Sequence, residues 1–342
     1  MNMNETSRFL YTIDHGSLEK WLLDQGEKSF RAKQIFEWIW KKGVVTYDQM
    51  QNLPKVLREQ LEKTFVLCPL TLVRSLSSSD GQTTKFLWQL YDGQMVESVL
   101  IRAPGRATVC VSSQVGCGMG CSFCASGKKG FVRNLHAAEI VAQALAIQRQ
   151  TEKITHVVFM GMGEPLVNCD NVICAIRLLC DELGISRRRI TVSTVGIIKG
   201  IERLLKEGLG VQLALSLHAP RQDLRAKLLP AAQGVELAEL MSAVDRFRFT
   251  TGRDVTYEYT LISGVNDGIN EARELAQLLR ARHGAVNLIP YNPVADFAWK
   301  RPKRGTIEKF RRVLDDHGIV NTCRYTKGDD IGAACGQLVG EA

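Results

Sequence analysis

From about residue 105 the chain alternates strand-like and helix-like stretches six times, and that rhythm limits its fold more than any other feature. The strand-like runs are residues 107–113, 155–160, 189–193, 212–217, 255–262 and 286–290. Helical patterns lie around 136–150, 170–183, 199–207, 235–250, 269–283 and 305–317. A strand that returns through a helix lies parallel to its predecessor, with the helices outside the sheet. Six repeats fit an open barrel better than a complete eightfold one. The expected fold class is α/β, a partial six-stranded (β/α)6 barrel.

Polar motifs follow these strands at their C-terminal ends, the edge that carries chemistry in α/β barrels. A cysteine-rich loop follows the first strand, and Gly161-Met162-Gly163-Glu164-Pro165 follows the second. Ser193-Thr194 follows the third, Ser216-Leu217-His218 the fourth and Tyr291-Asn292-Pro293 the sixth. Their convergence predicts one site.

The cysteine loop is the most specific of these motifs. Cys117, Cys121 and Cys124 stand in Cys-x3-Cys-x2-Cys spacing, with glycines at 116, 118 and 120. Three thiolates on one loop suit three corners of a cubic four-iron cluster, which leaves one iron open to a non-protein ligand. Glycine allows backbone to curl around so bulky a core. A zinc site completed by Cys110 or a histidine is the alternative. Structural zinc sites usually come as two paired knuckles, however, and the other cysteines are scattered singly. The glycine-rich run at 161–165 is not a dinucleotide fingerprint. Its glycines suit close approach to a small ligand, and Glu164 suits a cationic amine. Taken alone, that run also reads as a turn, and His218 as a buried, satisfied histidine.

The rest of the chain is organised around this core. Residues 1–75 read as a small helical accessory domain, with helical spacing over 29–40 and again over 54–65. Phe36 and Trp40 are expected to pack as core rather than stack on bases. Residues 76–104 form a short β extension, in which 85–90 and 96–101 flank the turn Tyr91-Asp92-Gly93. Residues 105–342 are the core domain. No apolar run approaches the ~20 residues a membrane helix needs. The polar N-terminus lacks a signal-peptide core, so a cytoplasmic location and no membrane association are expected. Ten cysteines then argue for thiols, a metal or catalysis rather than disulfides. The net charge of +8 is partly clustered, in Lys128-Lys129, in Arg187-Arg188-Arg189 and in residues 300–304. Such clusters suit a polyanion, and a solvated surface equally well.

The cysteine motif and the glycine-rich second strand end resemble the radical S-adenosylmethionine superfamily. The run from Gly328 through Cys335 to Leu338 is similar to the C-terminal signature of the RlmN/Cfr family of radical RNA adenine methyltransferases, closest to RlmN. Phe30–Phe36, Val96–Val99, Cys110–Cys117 and Ser216–Pro220 extend the resemblance over nearly the whole chain. The resemblance implies that Cys117, Cys121 and Cys124 hold one 4Fe-4S cluster, so the core would be a radical-SAM barrel. It implies that Gly163, Glu164, Ser193, Ser216, Leu217, His218 and Asn292 line the S-adenosylmethionine site.

Two molecules of S-adenosylmethionine would be consumed per methylation. One would methylate Cys335, and the other would supply a 5′-deoxyadenosyl radical that removes hydrogen from that S-methyl group. The methylene radical would add to adenine, Cys110 would help resolve the adduct, and Glu97 would accept the proton. A carbon radical suits this target, because the amidine carbons of adenine are electrophilic and offer no carbon nucleophile. The resemblance further implies 23S rRNA and tRNA as partners, methylation at C2, an electron donor such as flavodoxin or ferredoxin, and a monomer. A C8-specific Cfr-like enzyme is one alternative. A non-catalytic iron–sulfur or zinc RNA-binding protein is another, against which the joint presence of Glu97, Cys110 and Cys335 counts. Gly332 and Lys327 depart from the family pattern, where an acidic residue and arginine are usual. Most of Cys68, Cys169, Cys174, Cys180 and Cys323 are expected to be small buried thiols.

Overall fold

The computed structural model describes residues 9–150, 153–294, 297–324 and 327–340. The N-terminal unit contains α1 (His15–Asp24), α2 (Arg31–Phe36) and α3 (Lys55–Thr64), with α2 running on into a π-helical turn over Glu37–Lys41. Asp14 caps α1 by accepting from the Ser17 amide at 2.9 Å. Phe36 and Trp40 pack into the core as expected, with Trp40 against Tyr11 at 5.3 Å between ring centroids.

Three strands, β1 (Leu70–Ser77), β2 (Thr83–Leu90) and β3 (Met95–Ala103), form an antiparallel meander. The expected boundary at residue 75 falls inside β1. The meander continues through β4 (Arg106–Cys110), which is antiparallel to β3. The short strand β5 (Gln114–Gly116), α4 (Ala125–Lys129) and β6 (Phe131–Asn134) frame the cysteine loop, and β5 and β6 pair as a separate two-stranded sheet.

Alternation then sets in. The elements are α5 (Ala137–Gln150), β7 (His156–Phe159), α6 (Cys169–Asp181), β8 (Ile190–Thr194), α7 (Ile198–Glu207), β9 (Gln212–Ser216), α8 (Gln222–Leu228), α9 (Leu237–Thr251), β10 (Val255–Leu261), α10 (Ile269–Leu279), β11 (Gly284–Pro290), α11 (Arg304–Asp316) and β12 (Asn321–Cys323). The six expected strands are all present and parallel, in sequence order from β4 through β7 to β11.

Among the described residues the sheet is open, as expected, and wider than the six strands expected. It is ten strands wide, in the order β1-β2-β3-β4-β7-β8-β9-β10-β11-β12. The hairpin partner β3 occupies the free edge of β4, and β12 adds a seventh parallel strand beside β11. Both edges that closure would need to join are therefore already paired.

Every residue of α5 from Ala137 to Ile147 is buried, as suits a helix covered on all sides. One cover is the N-terminal unit. Arg149 reaches from the end of α5 to the Tyr11 hydroxyl at 3.0 Å and the Val44 carbonyl at 3.2 Å. His136, just ahead of α5, meets Phe9 at 5.1 Å between ring centroids. No described helix is long and apolar enough to cross a membrane.

Gly116 ties this architecture to the cysteine loop. Its φ is +71°, and a Cβ there would lie 1.8 Å from the Gly130 carbonyl oxygen, the same oxygen that accepts from the Cys117 amide at 2.9 Å. Backbone cannot yield as a flexible side chain would. Gly116→Ala is expected to cost about 2–4 kcal/mol of stability, read as a lowered unfolding midpoint.

Candidate active site

The C-terminal ends of the parallel strands surround a cavity of about 150 Å³. Cys117, Cys121 and Cys124 line it. Cys117 follows β5 directly, and Cys124 is the N-cap of α4. Between them Phe123 packs with Leu224 and Leu228 of α8, and the Ser122 amide donates to the Leu228 carbonyl at 3.0 Å. Helix α8 therefore backs the loop. Among the described residues no three His, Cys, Asp or Glu side chains converge tightly enough to hold a single metal ion.

Three thiols bordering one cavity suit three ligands of a four-iron cluster. Burial holds Cys117 up at about 11 and Cys121 higher still, with the neighbouring cysteines adding to the shift. Loading a cluster therefore releases protons from these thiols.

Five of the other expected residues border the same cavity. Gly163, Glu164, Ser193, Ser216 and His218 all line the cavity. Gly163 has φ +100°, and a Cβ on it would lie 2.5 Å from Gln114 Cβ. Its bare side is thus consumed by β5 and not by a ligand. The Glu164 carboxylate accepts from the Leu166 amide at 3.1 Å and the Val195 amide at 2.9 Å, joining the end of β7 to the end of β8. The Ser193 and Ser216 hydroxyls lie 3.4 Å apart. Leu217 is fully buried and does not reach the cavity surface.

His218 has φ +56°, the one positive φ outside glycine among the described residues. The strain is held by its surroundings. Its amide donates to the Glu258 carbonyl at 3.2 Å, and its carbonyl accepts from Asn266 at 2.8 Å. Its Nδ1 accepts from the Thr260 amide at 2.9 Å, which assigns the proton of the neutral ring to Nε2.

Two titrations oppose one another here. Burial raises Glu164 to about 7. Burial, then the Arg225 charge, lowers His218 to about 3. Between about pH 4.5 and 6.5 the native carboxyl binds more protons than its unfolded counterpart, so its contribution weakens as pH rises. Over the same range the native imidazole binds fewer, so its contribution strengthens as pH rises. Each slope is about 1.4 kcal/mol per pH unit at most, and they offset. Glu164→Gln is expected to uncover the histidine term. The variant should then lose stability more steeply than the parent from pH 6.5 to 4.5, measured by denaturant midpoints on metal-free protein.

Cys335 lies where this cavity meets a second one of about 350 Å³. Its exposed surface faces these two cavities, and burial raises its thiol, Arg324 opposing and Glu258 reinforcing. Asn292 lines both cavities, donating to the Cys335 carbonyl at 3.1 Å and accepting from Arg301 at 2.9 Å. Cys110 lines the second cavity, pushed up to about 12 by burial and then by Cys335.

Glu97, like Leu217, is an expected site residue set off both cavities. It is buried. Its Oε1 pairs with Lys85 at 3.0 Å, while Oε2 accepts from the Val339 amide at 2.7 Å and the Gly340 amide at 3.1 Å.

The sequence reading missed several polar residues of the site. Glu258 lines the first cavity from the middle of β10, and its carboxyl is raised by burial. An acidic residue inside an otherwise buried parallel strand is itself a signal. Arg225 of α8 is 1% exposed, and its Nη2 donates to the Val195 and Ser216 carbonyls. Arg106, Arg324 and Lys327 line the second cavity; Lys327 stands out in sequence only as a departure from the family pattern, and no motif marks the other two.

Residues 10–67 match the family model for the N-terminal domain of the ribosomal RNA large subunit methyltransferase, and residues 111–279 match that of the radical SAM superfamily. A protein of Protochlamydia amoebophila named as a probable dual-specificity RNA methyltransferase RlmN 2 is 55% identical over 95% of this chain and 93% of its own. A similarly named RlmN of Symbiobacterium thermophilum is 50% identical over 93% of this chain and 87% of its own. The crystal structure of a radical SAM methyltransferase from Sphaerobacter thermophilus superposes with a TM-score of 0.94 at 46% identity, covering 97% of this chain and 99% of that one.

Proposed function

This chain belongs to the RlmN family of radical S-adenosylmethionine RNA methyltransferases, and from that premise we propose that it methylates C2 of adenosine in 23S rRNA and tRNA through a methyl group carried on Cys335. The observation that carries the reading is the position of Cys335 on the wall between two cavities, one bearing Cys117, Cys121 and Cys124 and the other bearing Cys110.

The three cysteines of the loop hold the 4Fe-4S cluster. Gly163, Glu164, Ser193, Ser216, His218 and Asn292 bind and orient S-adenosylmethionine, with Leu217 behind them. When bound, the cluster and S-adenosylmethionine supply methyl transfer and one-electron chemistry, at a stoichiometry of two S-adenosylmethionine per methylation. The chain's own residues do the rest. Cys335 accepts a methyl on sulfur and presents it toward the second cavity, where the adenine enters. Arg106, Arg324 and Lys327 at that cavity give the phosphates a cationic wall, a source of salt-sensitive affinity. Glu97 accepts the proton that leaves the adenine carbon, and Cys110 helps to resolve the transient link between Cys335 and the base. The protein acts as a cytoplasmic monomer and takes its electrons from a flavodoxin or ferredoxin.

Nucleoside mass spectrometry tests this reading. Cluster-loaded protein is incubated anaerobically with S-adenosylmethionine, a reductant and either RNA. The expected product is C2-methyladenosine. C8-methyladenosine alone would move the chain to the Cfr-like regiochemistry, and neither product would sink the assignment for these RNAs.

A further inference from the structure

The segment that carries Cys335 is held at both ends by one buried ion pair. Lys85, on β2, is 11% exposed at its side chain and reaches Glu97 of β3 at 3.0 Å. The same Lys85 Nζ donates to the Gly332 carbonyl at 3.2 Å, three residues before the cysteine. The other oxygen of Glu97 holds the Val339 and Gly340 amides, four and five residues after it. Lys85 and Glu97 therefore close a loop from residue 332 to residue 340, with Cys335 inside it.

The inner face of that loop rests on α4, immediately after the last cysteine of the cluster motif. The Ala125 amide donates to the Gly336 carbonyl at 2.7 Å, and the Ser126 hydroxyl donates to the Leu338 carbonyl at 2.6 Å. Lys129 donates to the Gly340 carbonyl at 3.0 Å. These contacts fix the side of the loop that faces the cavities. The Lys85–Glu97 pair fixes its two ends. Charge-assisted hydrogen bonds of this kind, shielded from water, are the strong ones, and Lys85 makes two of them from a single ammonium.

We propose that Lys85 is a positioning residue for Cys335, setting the cysteine between the two cavities by clasping its loop through Glu97 and Gly332. It touches neither substrate nor cofactor and acts through the loop. The proposal rests on the reading of Cys335 as the methyl carrier, and the test separates the two.

Amide hydrogen exchange on cluster-loaded protein, compared among the parent, Lys85→Met and Lys85→Arg, reads the clasp directly. In Lys85→Met the amides of residues 332–340 should exchange roughly ten-fold faster or more, while those of β7 to β9 keep parental rates. Lys85→Arg, which keeps the charge and the donors, should restore most of the protection. A single turnover with S-adenosylmethionine adds the chemical readout. Methylation of Cys335 should slow in Lys85→Met and recover in Lys85→Arg, with S-adenosylmethionine affinity unchanged.

Unchanged exchange at 332–340 in Lys85→Met, or acceleration spread evenly over the chain, would overturn the proposal. If Lys85→Met does not fold, Lys85→Gln serves in its place, because its shorter, uncharged amide removes the ion pair with Glu97 and withdraws from the Gly332 carbonyl. It must show the same local acceleration. Local acceleration in a protein whose Cys335 never acquires a methyl group would keep the clasp and remove the carrier.

Discussion

Cys335→Ala is expected to abolish adenosine methylation, by at least about 10³-fold, while cluster content and RNA binding stay at parental levels. The size of the effect follows from its place. Cys335 is the one thiol that borders both cavities without belonging to the cysteine loop, since Cys110 lines only the second cavity and Cys124 lies in the loop. Removing a single sulfur at the junction leaves the walls standing. Leu338 is buried and still bonded to Ser126, and the Gly336 carbonyl still accepts from Ala125. The variant should therefore fold, bind and fail at chemistry. Nucleoside mass spectrometry beside iron analysis and an RNA-binding isotherm checks all three. Substantial methyladenosine from the variant would show that no methyl group travels on this residue.

The second large effect is at Cys121. Cys121→Ala should reduce bound iron and the brown visible absorbance to below about a tenth of parental values and abolish activity with them, since two thiolates cannot replace three on a cluster. Cys121 sits in the middle of its loop, with Phe123 anchored on Leu224 and Leu228, so the loop keeps its backing when the thiol is lost. Iron and sulfide assays on anaerobically reconstituted protein read the outcome. Retained iron at parental stoichiometry would mean that the metal is held elsewhere.

Much of this arrangement is legible in the one-dimensional chain. The period of strand and helix predicts β4 and β7 to β11 in their order, because buried parallel strands read as short apolar runs whatever surrounds them. The polar motifs at strand ends predict the first cavity for the same reason, since all strands of a parallel sheet deliver their C-terminal ends to one edge. What is hidden depends on partners far apart in sequence. How far the sheet runs beyond the six strands is decided by β3 taking the edge of β4 and by the three-residue strand β12, and no local pattern announces either. The glycines at 161–163 read as room for a ligand, yet at Gly163 the room is taken by Gln114 of β5. Lys85 is one lysine in a strand, and its meaning comes from Gly332, 247 residues away.

The setting of Glu97 has a consequence for timing. Two amides occupy its Oε2, Lys85 holds its Oε1, and the carboxylate sits at 1% exposure behind the tail. A base must meet the proton it takes at hydrogen-bond range. While the C-terminal segment is docked, Glu97 meets only its own chain. Delivery of the carbon and removal of the proton then cannot share one instant. On the proposed role of Glu97 as base, the tail would work as an escapement: it would let go of Glu97 before the turnover can finish, and its return to the carboxylate would mark the enzyme as ready to begin another.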